Sequence, residues 1–179
     1  DLIVREAKRF LGANKDRPFF LYLPFNMPHY PTQAKVEDRL RFADMPEPRR
    51  SYAAFLTTLD RQIGQVLDEV DRLQLRENTV ILFIADQGHS REERTNFGGG
   101  SAGPYRGCKF SLFEGGIRVP AIVSTPGVIP QGEVRSQWGG SIDVLPTLVD
   151  LCGLDKPAHR IDGLSVAEML KSASADSPH

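Results

Sequence analysis

Residues 79–89 read Thr-Val-Ile-Leu-Phe-Ile-Ala-Asp-Gln-Gly-His, and residues 103–120 read GPYRGCKFSLFEGGIRVP. Residues 80–85 are an unbroken apolar run, rich in β-branched and aromatic side chains. Such a run predicts a strand buried on both faces, as in a parallel sheet. It ends abruptly in Asp86-Gln87-Gly88-His89. In open α/β sheets, ligands bind at the C-terminal ends of the strands. The polar groups after residue 85 therefore mark the candidate site.

The flanking pattern alternates helix and strand. Ile3, Ala7, Phe10 and Leu11 are spaced as a helix over residues 2–11, with Gly12 as its stop. Residues 18–25 (PFFLYLPF) predict a buried strand, ended by Pro24. It runs into Asn26-Met27-Pro28-His29-Tyr30-Pro31, where prolines on both sides of His29 stiffen the loop. Residues 32–50 read as surface loop. From Tyr52 to Leu73, apolar residues recur every three or four positions, which predicts a long crossover helix. Residues 90–107 form a long, glycine-rich hydrophilic loop, with Gly98 to Gly100 read as flexible. Further strands are expected over 119–124 and 134–140. Helices are expected over 144–152, with Asp143 as N-cap, and over 166–170. Residues 170–179 read as a frayed tail. The order of elements predicts a three-layer α/β architecture.

Bulk composition sets limits. The chain has 179 residues, 40% hydrophobic and 25% charged, which suits a globular domain with a real core. Its net charge of −1 provides no general attraction for nucleic acid or an anionic membrane. No apolar run reaches membrane-spanning length. The first twelve residues are amphipathic with mixed charge, unlike a signal peptide, and lack an initial Met, so the chain reads as cut from something longer. Cys108 and Cys152 show no metal-binding spacing and read as free thiols.

Several residues can carry chemistry, and each has a plainer reading. Asp86 and Gln87 offer hard oxygen donors suited to Ca2+ or Mg2+; equally, Asp86 is a capping residue and Gln87 a solvated amide. Lys109 brings a compact cation near Gly103 and Gly107; alone, it is a surface lysine. Phe110 follows it, so the phosphate-loop pattern fails and nucleotide binding is a poor reading. His29 is a proton donor or a loop histidine with a satisfied hydrogen bond. His89 is a proton donor, a supporting partner or a solvated loop residue. Arg106 and Arg118 neutralise an anion or pair with Glu114 or an aspartate. Trp138 reads as packing.

In order along the chain, these segments resemble the C-terminal part of the catalytic domain of type I sulfatases, in the alkaline-phosphatase-like superfamily. PFFLYLPFNMPHYP is similar to the family's strand and Pro-His-x-Pro loop, and SYAAFLTTLDRQIGQVLDEVDRL to its long helix. ENTVILFIADQGH resembles the strand ending in the Asp-Asn-Gly metal motif. GPYRGCKFSLFEGGIRVP resembles the Arg-Gly-x-Lys and Glu-Gly-Gly-x-Arg-Val-Pro block. SIDVLPTLVDLCG and IDGLSV resemble the closing segments.

The resemblance implies a partial domain (residues 1–179) of an alkaline-phosphatase-like sandwich with a mostly parallel sheet. It implies sulfate-ester hydrolysis by the parent protein. Asp86 and Gln87 would be metal ligands, to Ca2+ or alternatively Mg2+. Gln87 stands where Asn or His is commoner. His29 and Lys109 would contact the sulfate and the departing oxygen, as catalytic and substrate-binding residues. The family's nucleophile is a formylglycine made in a Cys/Ser-x-Pro-x-Arg motif. Neither that motif nor the family's paired aspartates occurs here. Both are expected upstream, which leaves this segment inactive alone.

The implied partner is a sulfated small molecule or glycan, selected by residues 32–50 and 90–105. The implied compartment is periplasmic, secreted or lysosomal. A sheet without its upstream strands also predicts self-association. Two alternatives remain: a phosphate or phosphonate monoester hydrolase of the same superfamily, against which the Arg-Gly-x-Lys block argues, and a non-catalytic binding module.

Overall fold

The computed structural model describes residues 2–95 and 98–179. The chain divides into two compact units. One comprises the residues up to Leu75 together with Ile84–Pro120; the other comprises Arg76–Phe83 and Ala121–His179.

The first unit is organised by a long helix. α1 spans Leu2–Asn14, α2 Val36–Leu40 and α3 Arg49–Arg72. Both α1 and α2 pack against α3. Val4, Ala7 and Leu11 make one buried stripe on α1. Ala54, Phe55, Leu59, Val66 and Val70 make the matching stripe on α3. Their three- and four-residue spacing puts each set on one helix face, and burying a side chain of this kind stabilises by about 1.5–3 kcal/mol.

α2 was not visible in the sequence, where residues 32–50 read as surface loop. It carries Asp38, only 2% exposed. Thr58 Oγ1 donates to Asp38 Oδ2 at 2.7 Å, and Arg61 forms an ion pair with Asp38. The Arg61 guanidinium, followed by the Thr58 hydroxyl, holds the Asp38 carboxyl below its ordinary value near 3.8. A carboxyl with a lowered folded-state pKa stabilises the fold above its unfolded pKa, and that stability is lost as pH falls through the folded value. Arg61→Leu leaves a buried carboxylate with one donor. We expect a loss of about 2–3 kcal/mol at neutral pH, smaller than for a fully buried pair because Arg61 is half-exposed. Denaturant melts should show the difference from wild type shrinking below about pH 4. A constant difference across that range would remove the Asp38 pair as its source.

Residues 18–25 depart from expectation. They are extended but join no sheet among the described residues. Alternate side chains are turned outward, with Phe20 77% and Tyr22 74% exposed. The segment keeps the two-residue period of a strand without the two-sided burial its composition suggested.

The second unit holds two short strands. β1 (Ile81–Ile84) and β2 (Ala121–Ser124) are hydrogen-bonded neighbours, although Ile84 groups with the first unit. Two-sided burial of β1 is not observed: Phe83 is 37% and Ile84 39% exposed. No strand forms over 134–140. α5 (Val144–Leu151) and α6 (Ala167–Lys171) pack together.

Asp143, expected to cap α5, instead gathers three donors. Gly140 N and Leu164 N donate at 2.7 and 2.9 Å, and His179 Nε2 lies 2.8 Å away. Burial pushes the Asp143 carboxyl up, but the combined hydrogen bonds outweigh it and the net shift is downward. Residues 170–179, expected to fray, are held. His179 stacks on Trp138 at 4.5 Å, and Gln137 Nε2 donates to the Ala173 and Ala175 carbonyls.

Candidate functional site

The candidate site lies in the first unit and is built from backbone against backbone. The chain leaves β1 through Ala85, whose N–H donates to the Pro120 carbonyl at 3.3 Å. Gly88 N then donates to the Gly116 carbonyl at 2.9 Å. A methyl group on Gly88 would sit 2.0 Å from the Gly115 carbonyl oxygen, so only glycine allows this approach. Gly115 is equally confined: its N–H donates to Arg106 O at 2.7 Å, and a Cβ there would meet Gly107 O at 2.4 Å. α4 (Glu114–Ile117) is thereby pressed between the end of the strand and residues 106–107.

The same contacts seat Lys109. Its backbone N–H donates to His89 O at 2.9 Å. The turn around it is closed by Ser111, whose Oγ accepts from Cys108 N at 3.2 Å and donates to Cys108 O at 2.9 Å. The Lys109 side chain is only 12% exposed, with Nζ 3.4 Å from Glu92 Oε2. It is not a free surface lysine. Burial pushes the Glu92 carboxyl up, but Ser90's hydrogen bond and the charges of Arg94 and Lys109 together hold it below its ordinary value. Glu92 thus stays anionic beside the lysine.

His29 is exposed, and its Nδ1 lies 2.8 Å from Tyr30 O. A carbonyl only accepts, so Nδ1 carries the hydrogen and Nε2 faces any ligand as acceptor, or as donor when protonated. Asp86 and Gln87 are both exposed, and Gln87 Nε2 donates to Asp86 Oδ2 at 3.2 Å. That bond turns the Gln87 nitrogen, not Oε1, toward the carboxylate, but the two side chains together still carry a hard-oxygen pair suited in chemistry to calcium. It provides two of the roughly six to eight oxygens calcium takes. Among the described residues, no three His, Cys, Asp or Glu side chains cluster to complete a site.

The other candidates separate clearly. Burial, with a smaller contribution from Arg91, pushes the His89 pKa down and keeps the ring neutral. Among the described residues its buried Nδ1 has no partner, so His89 is not a solvated loop residue. Arg118 pairs with Glu114 at 3.0 Å, and Arg106 lies 4.0 Å from the centre of the Phe113 ring. Cys108 and Cys152 are free thiols. The Gly98–Gly100 run is not simply flexible: a Cβ on Gly99 or Gly100 would lie 2.4 Å from the Tyr52 or His89 side chain. Residues 96–97 of the same loop lie outside the described residues.

Sequence reasoning missed Glu92, Arg94 and Tyr30. Only Tyr30, next to His29 in the chain, offered a signal.

The family profile described as Sulfatase matches residues 1–154. The chain belongs to the sulfatase family. This sulfatase-family chain is 37% identical over 181 aligned positions to steryl-sulfatase of Rattus norvegicus, covering 99% of the chain and 30% of the relative. It is 36% identical to N-acetylgalactosamine-6-sulfatase of Canis lupus familiaris, covering 98% and 33%. Among solved structures, Ps i-CgsB in complex with k-i-k-neocarrahexaose superimposes with a TM-score of 0.85 at 32% identity, over 94% of this chain and 37% of that one. The sulfatase-family chain therefore shares its fold with solved sulfatases as a partial domain. It spans about a third of the length of these curated relatives.

Proposed function

We propose that the whole protein hydrolyses a sulfate ester and that this chain provides part of its metal and sulfate site. The carrying observation is the close backbone contact of three segments. The residues after β1, the Lys109 turn and the Glu114-Gly115-Gly116 block touch through Gly88–Gly116, His89–Lys109 and Gly115–Arg106 hydrogen bonds. Lys109 and His29 contact the sulfate group and the departing oxygen. A cation and a hydrogen-bond donor there stabilise the charge that grows on that oxygen as the S–O bond breaks. Lys109, or His29 protonated on Nε2, hands the leaving oxygen its proton. Asp86, through its carboxylate, and Gln87, through Oε1, would hold a calcium ion. When bound, the ion supplies positive charge to the sulfate oxygens.

The substrate class proposed is a sulfated glycan or small molecule. In support, the relatives include an N-acetylgalactosamine-6-sulfatase and a steryl-sulfatase, and the matching Ps i-CgsB structure contains a neocarrahexaose. The test uses the whole protein with paired aryl sulfate and aryl phosphate substrates. The sulfate should be preferred in kcat/KM by at least about 100-fold. Chelation should abolish turnover and Ca2+ should restore it. A preference for the phosphate would overturn the reading, and full activity after exhaustive chelation would remove the metal from it.

A further inference from the structure

His29 and Lys109 belong to different loops, yet an unbroken run of contacts joins them. Lys109 Nζ lies 3.4 Å from Glu92 Oε2. Arg94 Nη2 holds the other oxygen, Oε1, of the same carboxylate at 2.5 Å. Arg94 Nη1 donates to the Tyr30 hydroxyl at 3.0 Å, and the guanidinium lies 4.7 Å from the Tyr30 ring centre. The Tyr30 ring sits 4.7 Å from the His29 ring, and the Tyr30 carbonyl receives His29 Nδ1 at 2.8 Å.

Glu92 is itself pinned from three sides. Ser90 Oγ donates to Oε2 at 3.0 Å and accepts from Glu92 N at 3.2 Å, and Thr95 Oγ1 donates to Glu92 O at 2.6 Å. An isolated ion pair on a surface loop is worth little. Here one carboxylate binds two cations through separate oxygens, and the second cation reaches the residue that orients His29.

We propose that Glu92, Arg94 and Tyr30 form a positioning relay that fixes Lys109 and His29 relative to each other. The inference rests on the reading of those two residues as sulfate contacts. None of the three relay residues touches the reacting group in this proposal. Lysine is a point charge on a flexible stem and needs an anchor to aim it. His29 is exposed and needs one to hold its ring plane. A displacement of about 1 Å in such groups can cost ~100-fold in rate.

The test compares Glu92→Gln, Tyr30→Phe and the double variant in the whole protein. Gln keeps the shape and removes the charge. Phe keeps the ring on His29 and removes the hydroxyl that receives Arg94. The first readout needs no turnover: the rate at which acetic anhydride acylates Lys109, followed by peptide mass spectrometry, with Lys15 as internal reference. Loss of the anchor should raise the Lys109 rate by about tenfold in Glu92→Gln and by about threefold in Tyr30→Phe, with Lys15 unchanged. A wild-type Lys109 rate in Tyr30→Phe would overturn the relay.

The second readout is steady-state kinetics on an aryl sulfate. Each single variant should lower kcat by about tenfold while KM stays within about twofold, and the double variant should fall no further than the worse single. Losses that multiply in the double variant would mean two independent contacts and would also overturn the relay. If wild-type protein turns over no sulfate ester, the functional reading fails, and the acylation rates still decide the relay.

Discussion

Replacing Lys109 by alanine in the whole protein should lower kcat/KM for an aryl sulfate by about 100- to 1,000-fold. The expectation follows from how the residue is held. Its backbone N–H bonds to His89 O, and the Cys108–Ser111 hydrogen bonds close the turn around it without using its side chain. The loop therefore survives the substitution and only the ammonium disappears. Charge on the leaving oxygen is largest in the transition state, so the loss should fall mainly on kcat. Glu92 would be left beside the site without its 3.4 Å partner, adding a negative charge where an anion must bind. Some increase in KM should accompany the fall in kcat. Lys109→Arg should recover only part of the rate, because a planar fork does not reproduce a point charge in a confined turn. Turnover at the wild-type level in Lys109→Ala, with an unchanged melting temperature, would exclude Lys109 from the chemistry.

The second large effect is expected from one added methyl group. Gly88→Ala puts a carbon 2.0 Å from the Gly115 carbonyl oxygen, and neither backbone segment has a side chain that can turn aside. The strand end and the Glu114-Gly115-Gly116 block must separate, which breaks or stretches the 2.9 Å bond from Gly88 N to Gly116 O. Overpacking and the lost hydrogen bond together should cost about 3 kcal/mol. Asp86 and Gln87 ride on the displaced segment. Calcium affinity, measured by calorimetry, and sulfate-ester turnover should fall with stability, turnover to below about 1% of wild type. A Gly88→Ala protein with wild-type melting temperature and calcium affinity would show that the segment can be moved without consequence to the site.

Local regularities were legible in the sequence. The spacing from Tyr52 to Leu73 foretold α3, and the spacing of Ile3, Ala7 and Leu11 foretold α1, although the helix runs through the expected stop at Gly12 to Asn14. The apolar run over residues 80–85 and the strand expected over 119–124 located β1 and β2. What sequence could not give is which distant group meets which. The composition of residues 18–25 announces burial but names no partner strand. Asp38 looked like one more polar loop residue, because its partners Thr58 and Arg61 lie on another helix. The holding of residues 170–179 depends on Asp143 and Trp138, far earlier in the chain.

The candidate site divides the same way. The residue types in Asp86-Gln87 and Lys109 were enough to make them candidates. The ion pair that buries Lys109 comes from a loop whose hydrophilic, glycine-rich composition reads as slack. That composition is ambiguous in principle, since glycine serves both floppy linkers and the tightest contacts. Only the contacts each glycine makes separate the two uses.

The glycine contacts around residues 88 and 115 have a consequence for how this protein can diverge. Where side chains set a spacing, a substitution on one wall can be offset by a smaller residue on the other, and the spacing drifts over generations. Here a main-chain carbonyl meets an α-carbon, and no smaller residue exists to make room. The gap between the end of the strand and the lysine turn is therefore set by the thickness of the polypeptide itself. The side chains of the surrounding loops are free to change, while the inner frame has no neutral path along which to move.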